Sequence, residues 1–155
     1  MASASRDFGI LLGLAYQAFV DELNAHMAES GFADLGRAFG YVFRALLDDS
    51  PTTSELAGRL RITPQGAAKI VEEMVAVGYV ERRSDPADRR AKRLRLTDRG
   101  RRAVATARRF HAEYERRLAV AHGAERVAVV RELLTAVVDR DSAASEAADR
   151  LLRPL

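Results

Sequence analysis

The chain has 155 residues, with 25 Lys and Arg against 22 Asp and Glu, three His, no Cys and no Trp. Such a length makes one domain or two small ones, and folding can bury roughly 70% of the unfolded chain's surface. With 48% hydrophobic and 30% charged residues it is expected to be neither disordered nor membrane-spanning, because its apolar runs fall far short of the ~20 residues that cross a bilayer. The opening MASASRDFG lacks a charged head before an apolar core, so no signal peptide is expected and the cytosol is the default compartment. The absence of cysteine excludes disulfides, thiolate catalysis, Cys-ligated zinc and thiol redox sensing together.

A net charge of +3 conceals an uneven distribution. Residues 1–58 carry 3 basic and 8 acidic side chains, whereas residues 81–102 carry 10 basic and 4 acidic ones, a net of +6. Such a cluster is the electrostatic footprint of a polyanion partner. Since 23 of the 25 basic residues are Arg, the count alone is discounted as a trait of composition; the clustering is what carries the argument.

In chain order, the first predicted element is an amphipathic helix from Phe8 to about Ser30. Leu12, Tyr16, Phe19, Leu23 and Met27 recur three or four residues apart, and Ser30-Gly31 ends it. A second helix is predicted from about Asp34 to Leu47, with Leu35, Phe39, Val42, Phe43 and Leu46 inward and Gly36 and Gly40 inside it. Asp49-Ser50-Pro51 stops that helix, because the residue before proline disfavours helical geometry. Thr52-Thr53-Ser54-Glu55 then has the pattern of a capping box that opens a short helix to Leu60. Thr63 caps the next helix, Pro64 occupies its first position, and Gly78 ends it; Ala67, Ile70, Val71, Met74 and Val77 form its buried stripe.

The period then changes from helix to strand. Tyr79 to Arg83 and Lys92 to Leu96 are predicted strands, joined by a turn-rich tip, Ser84-Asp85-Pro86-Ala87-Asp88-Arg89. Thr97 caps a long helix to about His122, stopped by Gly123, with Phe110, Tyr114, Leu118 and Ala121 on its apolar stripe. A last helix from Glu125 repeats Val127, Val130, Leu134, Val137 and Val138, and the tail to Leu155 is helix-permissive, with Leu151, Leu152 and Leu155 as apolar contacts. The expected fold class is mainly α with a small two- or three-stranded β-wing.

Two helices joined by a tight turn, a glycine stop and a basic hairpin form the pattern of a winged helix-turn-helix. A helix fits the major groove of duplex DNA, where each base pair offers a distinct set of donors and acceptors. On the helix from Thr63, the face opposite the buried stripe carries Thr63, Gln65, Gly66, Lys69 and Glu73. There Gln65 can pair with adenine, Lys69 can reach guanine or phosphate, and Gly66 permits close approach. The hairpin's arginines, Arg89 and Arg90 above all, can enter a narrow minor groove with its enhanced negative potential. Arg82 and Arg83 add to the same basic cluster.

The stretch from Asp85 to Gly100, DPADRRAKRLRLTDRG, resembles the wing signature of the MarR family of bacterial transcription regulators: an Asp-x-Arg at the tip, then a strand ending Leu-Thr-x-x-Gly. Ser54-Glu55-Leu56-Ala57 and Val77-Gly78-Tyr79-Val80-Glu81-Arg82 are similar to the same family. The resemblance is strong over residues 50–102 and rests on helix order elsewhere. It implies that Asp88 orients Arg90 through a salt bridge, that Arg90 enters the minor groove, that Arg89 and Lys92 meet phosphate, and that Ser54 makes a further phosphate contact. It also implies a homodimer held by the first and last helices, here residues 1–33 and 103–155, flanking a DNA-binding lobe of residues 34–102. Two half-sites one helical turn apart, hence a pseudo-palindromic operator, follow from the two-fold axis.

Other chemistry finds less support. His26, His111 and His122 form no i, i+4 pair, so no metal site is expected. Tyr16, Phe19, Phe39, Phe43, Phe110 and Tyr114 line helical stripes as ordinary core residues do; the resemblance also makes them candidates for a pocket that takes a small aromatic or phenolic effector. No nucleophile–base motif, phosphate loop or HExxH occurs, so neither catalysis nor a cofactor is expected. The expected function is therefore an effector-responsive repressor acting as a homodimer on double-stranded DNA. An architectural DNA binder of low sequence specificity and a dimeric interaction module without DNA binding remain as alternatives.

Overall fold

The structure is a computed structural model, in which residues 7–88 and 90–139 are described. Leu151, Leu152 and Leu155, the apolar contacts expected in the tail, lie outside the described residues, as does Arg89. The chain divides into two compact units, Met1–Asp34 and Leu35–Leu155.

The first unit is built on α1 (Phe8–Glu29), closed by Ser30 and by Gly31, whose φ of 90° ends the helix in the left-handed region. Phe32 N–H returns to the Met27 carbonyl at 2.9 Å. Met27 and Phe32 are buried, whereas Phe8, Ile10, Leu11, Leu12, Leu14 and Tyr16 are each at least 41% exposed.

The second unit starts with α2 (Phe39–Ala45), which is shorter than the predicted 34–47 helix. Gly36 is not within it: Phe39 N–H bonds the Gly36 carbonyl in a turn, and the Phe39 ring folds back to 2.7 Å from where a Gly36 Cβ would stand. The glycine is thus used for ring-on-backbone packing, and the intrinsic helix penalty of glycine, ~1 kcal/mol, is avoided rather than absorbed.

Next come α3 (Thr53–Leu60) and α4 (Pro64–Ala76), packed on each other. They are joined by Arg61, whose φ of 52° and ψ of 40° make it the one non-glycine residue at positive φ among the described residues. Strands β1 (Val80–Ser84) and β2 (Lys92–Leu96) pair antiparallel, with Val80 opposite Leu96 and Ser84 opposite Lys92. A one-residue bridge between Thr52 and Arg93 stands in for a third strand.

The core collects Val42, Leu56, Ala67, Val71, Met74, Tyr79, Val80 and Leu94, all at most 2% exposed. Burial of each Val, Leu and Met side chain among them stabilises the fold by roughly 1.5–3 kcal/mol. Tyr79 is the junction of this core. Phe39 and Phe43 meet its ring edge-on at 6.1 and 5.4 Å, and the Arg99 guanidinium lies over it at 4.8 Å. Its N–H donates to the Met74 carbonyl at 2.8 Å, and its carbonyl accepts from Thr97 N–H at 3.0 Å.

Helix α5 (Asp98–His122) starts there. Its first half buries Gly100, Ala103, Val104, Thr106, Ala107 and Phe110; beyond Phe110 none of its residues is buried. Gly123 turns the chain into α6 (Ala124–Asp139). The two helices form a hairpin with alanines Ala112, Ala119, Ala124 and Ala128 along its groove and an Arg131–Glu115 ion pair across it. Helix α6 buries nothing: Val129, Val130, Leu133, Leu134 and Val137 are all exposed.

Candidate nucleic-acid interface

The helix pair is assembled by local chemistry. Thr52 sits in extended geometry, its hydroxyl accepts from Glu55 N–H at 3.2 Å, and Glu55 Oε2 accepts from Thr52 N–H at 2.9 Å. The capping box satisfies two backbone donors that the first turn of α3 leaves open. At α4, Thr63 Oγ1 accepts from Gly66 N–H at 3.0 Å and Pro64 occupies the first turn. A Cβ on Gly66 would stand 3.1 Å from that hydroxyl, so the glycine also protects the cap. With Ala67, Val71 and Met74 turned into the core, Thr63, Gln65, Lys69 and Glu73 are left exposed. Ser54 is exposed in the first turn of α3.

The hairpin tip is closed by aspartates. Asp85 N–H donates to the Ala91 carbonyl at 3.0 Å, and Asp85 Oδ1 accepts from Ala87 N–H at 2.9 Å. Asp88 Oδ1 accepts from the backbone N–H of Arg90 at 2.9 Å, and its carbonyl accepts from Ala91 N–H. Asp88 therefore shapes, through the backbone, the turn that presents Arg90. Arg82, Arg90 and Arg95 are exposed. Lys92 Nζ donates to Ser84 Oγ at 2.7 Å, and Arg83 pairs with Glu81 at 2.9 Å, which raises the arginine's pKa.

One residue had no assigned role in the sequence. Arg93 Nε donates to Asp85 Oδ2 at 2.7 Å, while its Nη1 donates to Glu55 Oε2 at 3.0 Å and to the Ser50 carbonyl at 3.3 Å. Beside it, Leu94 N–H donates to the Pro51 carbonyl at 2.9 Å. Strand alternation marks Arg93 only as one polar residue among several; its partners lie 8, 38 and 43 positions away, beyond the reach of any local pattern.

The remaining candidates are aromatic residues of α1, α2 and α5. Tyr16 is exposed and Phe19 half-buried on α1. Phe39 and Phe43 are buried against Tyr79, and Phe110 is buried with its ring 5.8 Å from half-buried Tyr114, which carries Arg117 over its face at 5.3 Å. Among the described residues, no three His, Asp or Glu side chains gather as a metal site would require, and no helix is long and apolar enough to cross a membrane.

A capped helix pair followed by a two-stranded basic ribbon, anchored on the first of those helices and leading into a long helix, defines a winged helix-turn-helix protein. Residues 34–91 match the MarR family model. The chain is 28% identical over 109 residues to the exopolysaccharide II synthesis transcriptional activator ExpG of Rhizobium meliloti (strain 1021), a match that spans 70% of this chain and 55% of that protein's length. Among solved structures, YusO of Bacillus subtilis aligns over 87% of this chain and 94% of its own, at 19% identity and a TM-score of 0.69. FabT of Streptococcus pneumoniae in complex with DNA aligns over 84% and 94% at 22% identity, with a TM-score of 0.66. The transcriptional repressor CouR bound to a 23-mer DNA duplex aligns over 88% and 96% at 24% identity, with a TM-score of 0.64. Over residues 34–91 the chain is thus similar to the MarR family, and its fold is that of the winged helix structures it aligns with.

Proposed function

We propose that the protein is a sequence-specific, double-stranded DNA-binding regulator that acts as a homodimer on a pseudo-palindromic operator. The observation that carries the DNA half is the placement, on one body, of exposed Gln65 and Lys69 at the open end of α4 and of exposed Arg82, Arg90 and Arg95 on the hairpin. In this proposal Gln65 and Lys69, with Thr63 and Gly66 at the helix start, meet base edges in the major groove; Arg90 enters the minor groove; Ser54, Arg82, Arg89 and Lys92 meet phosphate. The positive N-terminal end of α4 favours phosphate as well.

The homodimer half rests on the apolar residues that a single chain leaves bare, Ile10 to Leu14 on α1 and Val129 to Val137 on α6. Exposed apolar surface on that scale marks an interface. We propose repression as the sign of regulation, with a small aromatic effector that binds the free dimer better than the DNA-bound one and so shifts the population towards release. A ligand with equal affinity for both forms would exclude that mechanism.

Selection of bound sequences from a random duplex pool tests the proposal. An inverted repeat with half-sites one helical turn apart is expected, bound ~10³-fold or more tighter than random duplex at fixed salt. Recovery of no common sequence would favour an architectural binder held by phosphate contacts alone.

A further inference from the structure

We propose that Arg93 is the positioning residue of the wing: it ties the hairpin to the start of α3 and so holds Arg90 in place, without itself touching DNA. The proposal rests on the DNA-binding reading for its functional consequence, but its structural half stands on the free protein.

A two-stranded ribbon is marginally stable alone and free to twist. Here its polar ties to the segment that opens α3 are the Leu94 N–H to Pro51 carbonyl bond, the Thr52–Arg93 bridge and the Arg93 guanidinium, beside the packing of buried Val80, Leu94 and Leu96. The guanidinium joins segments distant in sequence, Asp85 at the hairpin's end and both Ser50 and Glu55 around the α3 cap. An arginine fork suits this task because its donors lie in one rigid plane.

Isolated surface ion pairs contribute little because both side chains must be ordered. This one differs, since each acceptor is already fixed by a backbone group. Asp85 also holds Ala87 N–H and its side chain is only 13% exposed, and Glu55 also holds Thr52 N–H. Two carboxylates on one guanidinium leave no surplus positive charge for a phosphate. The ladder places Arg83 directly opposite Arg93, an arrangement of like charges that is unfavourable unless each is neutralised. Glu81 neutralises the first, Asp85 and Glu55 the second.

The test uses the full chain carrying Arg93→Met, which keeps much of the aliphatic stem, with Glu55→Gln as a second variant that preserves the cap acceptor. In the free protein, hydrogen exchange at the backbone amides of Ala87, Ala91 and Leu94 is expected to accelerate about tenfold, as for loss of one charge-assisted hydrogen bond, while the α4 and α5 core amides stay unchanged. With duplex, Arg93→Met is expected to weaken binding about tenfold, again the scale of one such bond, and to leave the slope of log affinity against log salt unchanged in an Arg90→Ala background. Added to Arg90→Ala, it should cost nothing further, because Arg93 acts through the position of Arg90. Glu55→Gln should shift exchange and affinity in the same direction, by less.

Unaltered hairpin exchange in Arg93→Met overturns the proposal. So does a slope reduced by about 0.9 when Arg93→Met is added to Arg90→Ala, the mark of a phosphate contact made by Arg93 itself. Fully additive losses with Arg90→Ala overturn it too. If the unaltered protein binds no duplex, the DNA-binding reading fails, and the exchange result still decides whether Arg93 holds the wing.

Discussion

Gly100 shows at the scale of one residue why a signature position has the residue it has. A Cβ there would lie 2.3 Å from the Tyr79 carbonyl oxygen, the acceptor of Thr97 N–H at the junction of hairpin and α5. Backbone cannot step aside as a side chain can, so Gly100→Ala is expected to destabilise by about 1–3 kcal/mol, the usual range for overpacking, with a lowered thermal midpoint as the readout. Titrating residues add pH dependence. The Ala87 N–H, and next the Arg93 guanidinium, hold the Asp85 carboxyl below its ordinary range. Its contribution is therefore complete above the ordinary 3.8 and lost as pH falls through the lowered folded value, so Asp85→Asn should flatten part of the acid limb of stability. His111 is also lowered, first by burial and then by the charge of Arg44. A base depressed in the folded state stabilises fully above its unfolded value of 6.5 and loses that contribution as pH drops below it. His111→Gln should remove that slope, measured by denaturant unfolding across mildly acidic pH.

Helix boundaries follow capping wherever capping is local. Thr52 with Glu55, Thr63 with Gly66 and Thr97 with Gly100 all make the side-chain bonds that their sequence spacing predicts. Loss of one such cap costs about 1 kcal/mol. Thr63→Ala should therefore lower the thermal midpoint and also loosen the first turn of α4, where Gln65 sits, so duplex affinity should fall along with stability. The start of α2 was not legible in the same way. Periodicity alone extends that helix back to Asp34, and nothing local announces that the Phe39 ring needs the space over Gly36. The wing's third partner was equally hidden, because a single bridge from Thr52 to Arg93 joins residues 41 positions apart.

On the scale of the molecule, the chain's unsatisfied surface points outward. Helix α6 has no buried residue although ten of its 16 residues are apolar, and the outer part of α5 is similarly bare. Val130→Glu is expected to convert the proposed dimer to a monomer in sedimentation while leaving the core from Val42 to Phe110 folded. Operator affinity should then drop steeply, because a single half-site contact replaces two linked ones. A dimer that survives Val130→Glu together with Leu134→Glu would move the interface away from α6.

The sequence by itself determined the order of elements, the capped helix pair, the basic hairpin and the family signature. All of these depend on interactions within a few residues, where spacing is geometry. Only the tertiary structure decided which cations of the +6 segment are spoken for. Arg93 is paired across the fold, and Arg82, Arg90 and Arg95 stand exposed, because strand register and the position of α3 set the places of Asp85 and Glu55. A charge count adds every arginine alike; folding sorts them into those that build the wing and those it offers outward.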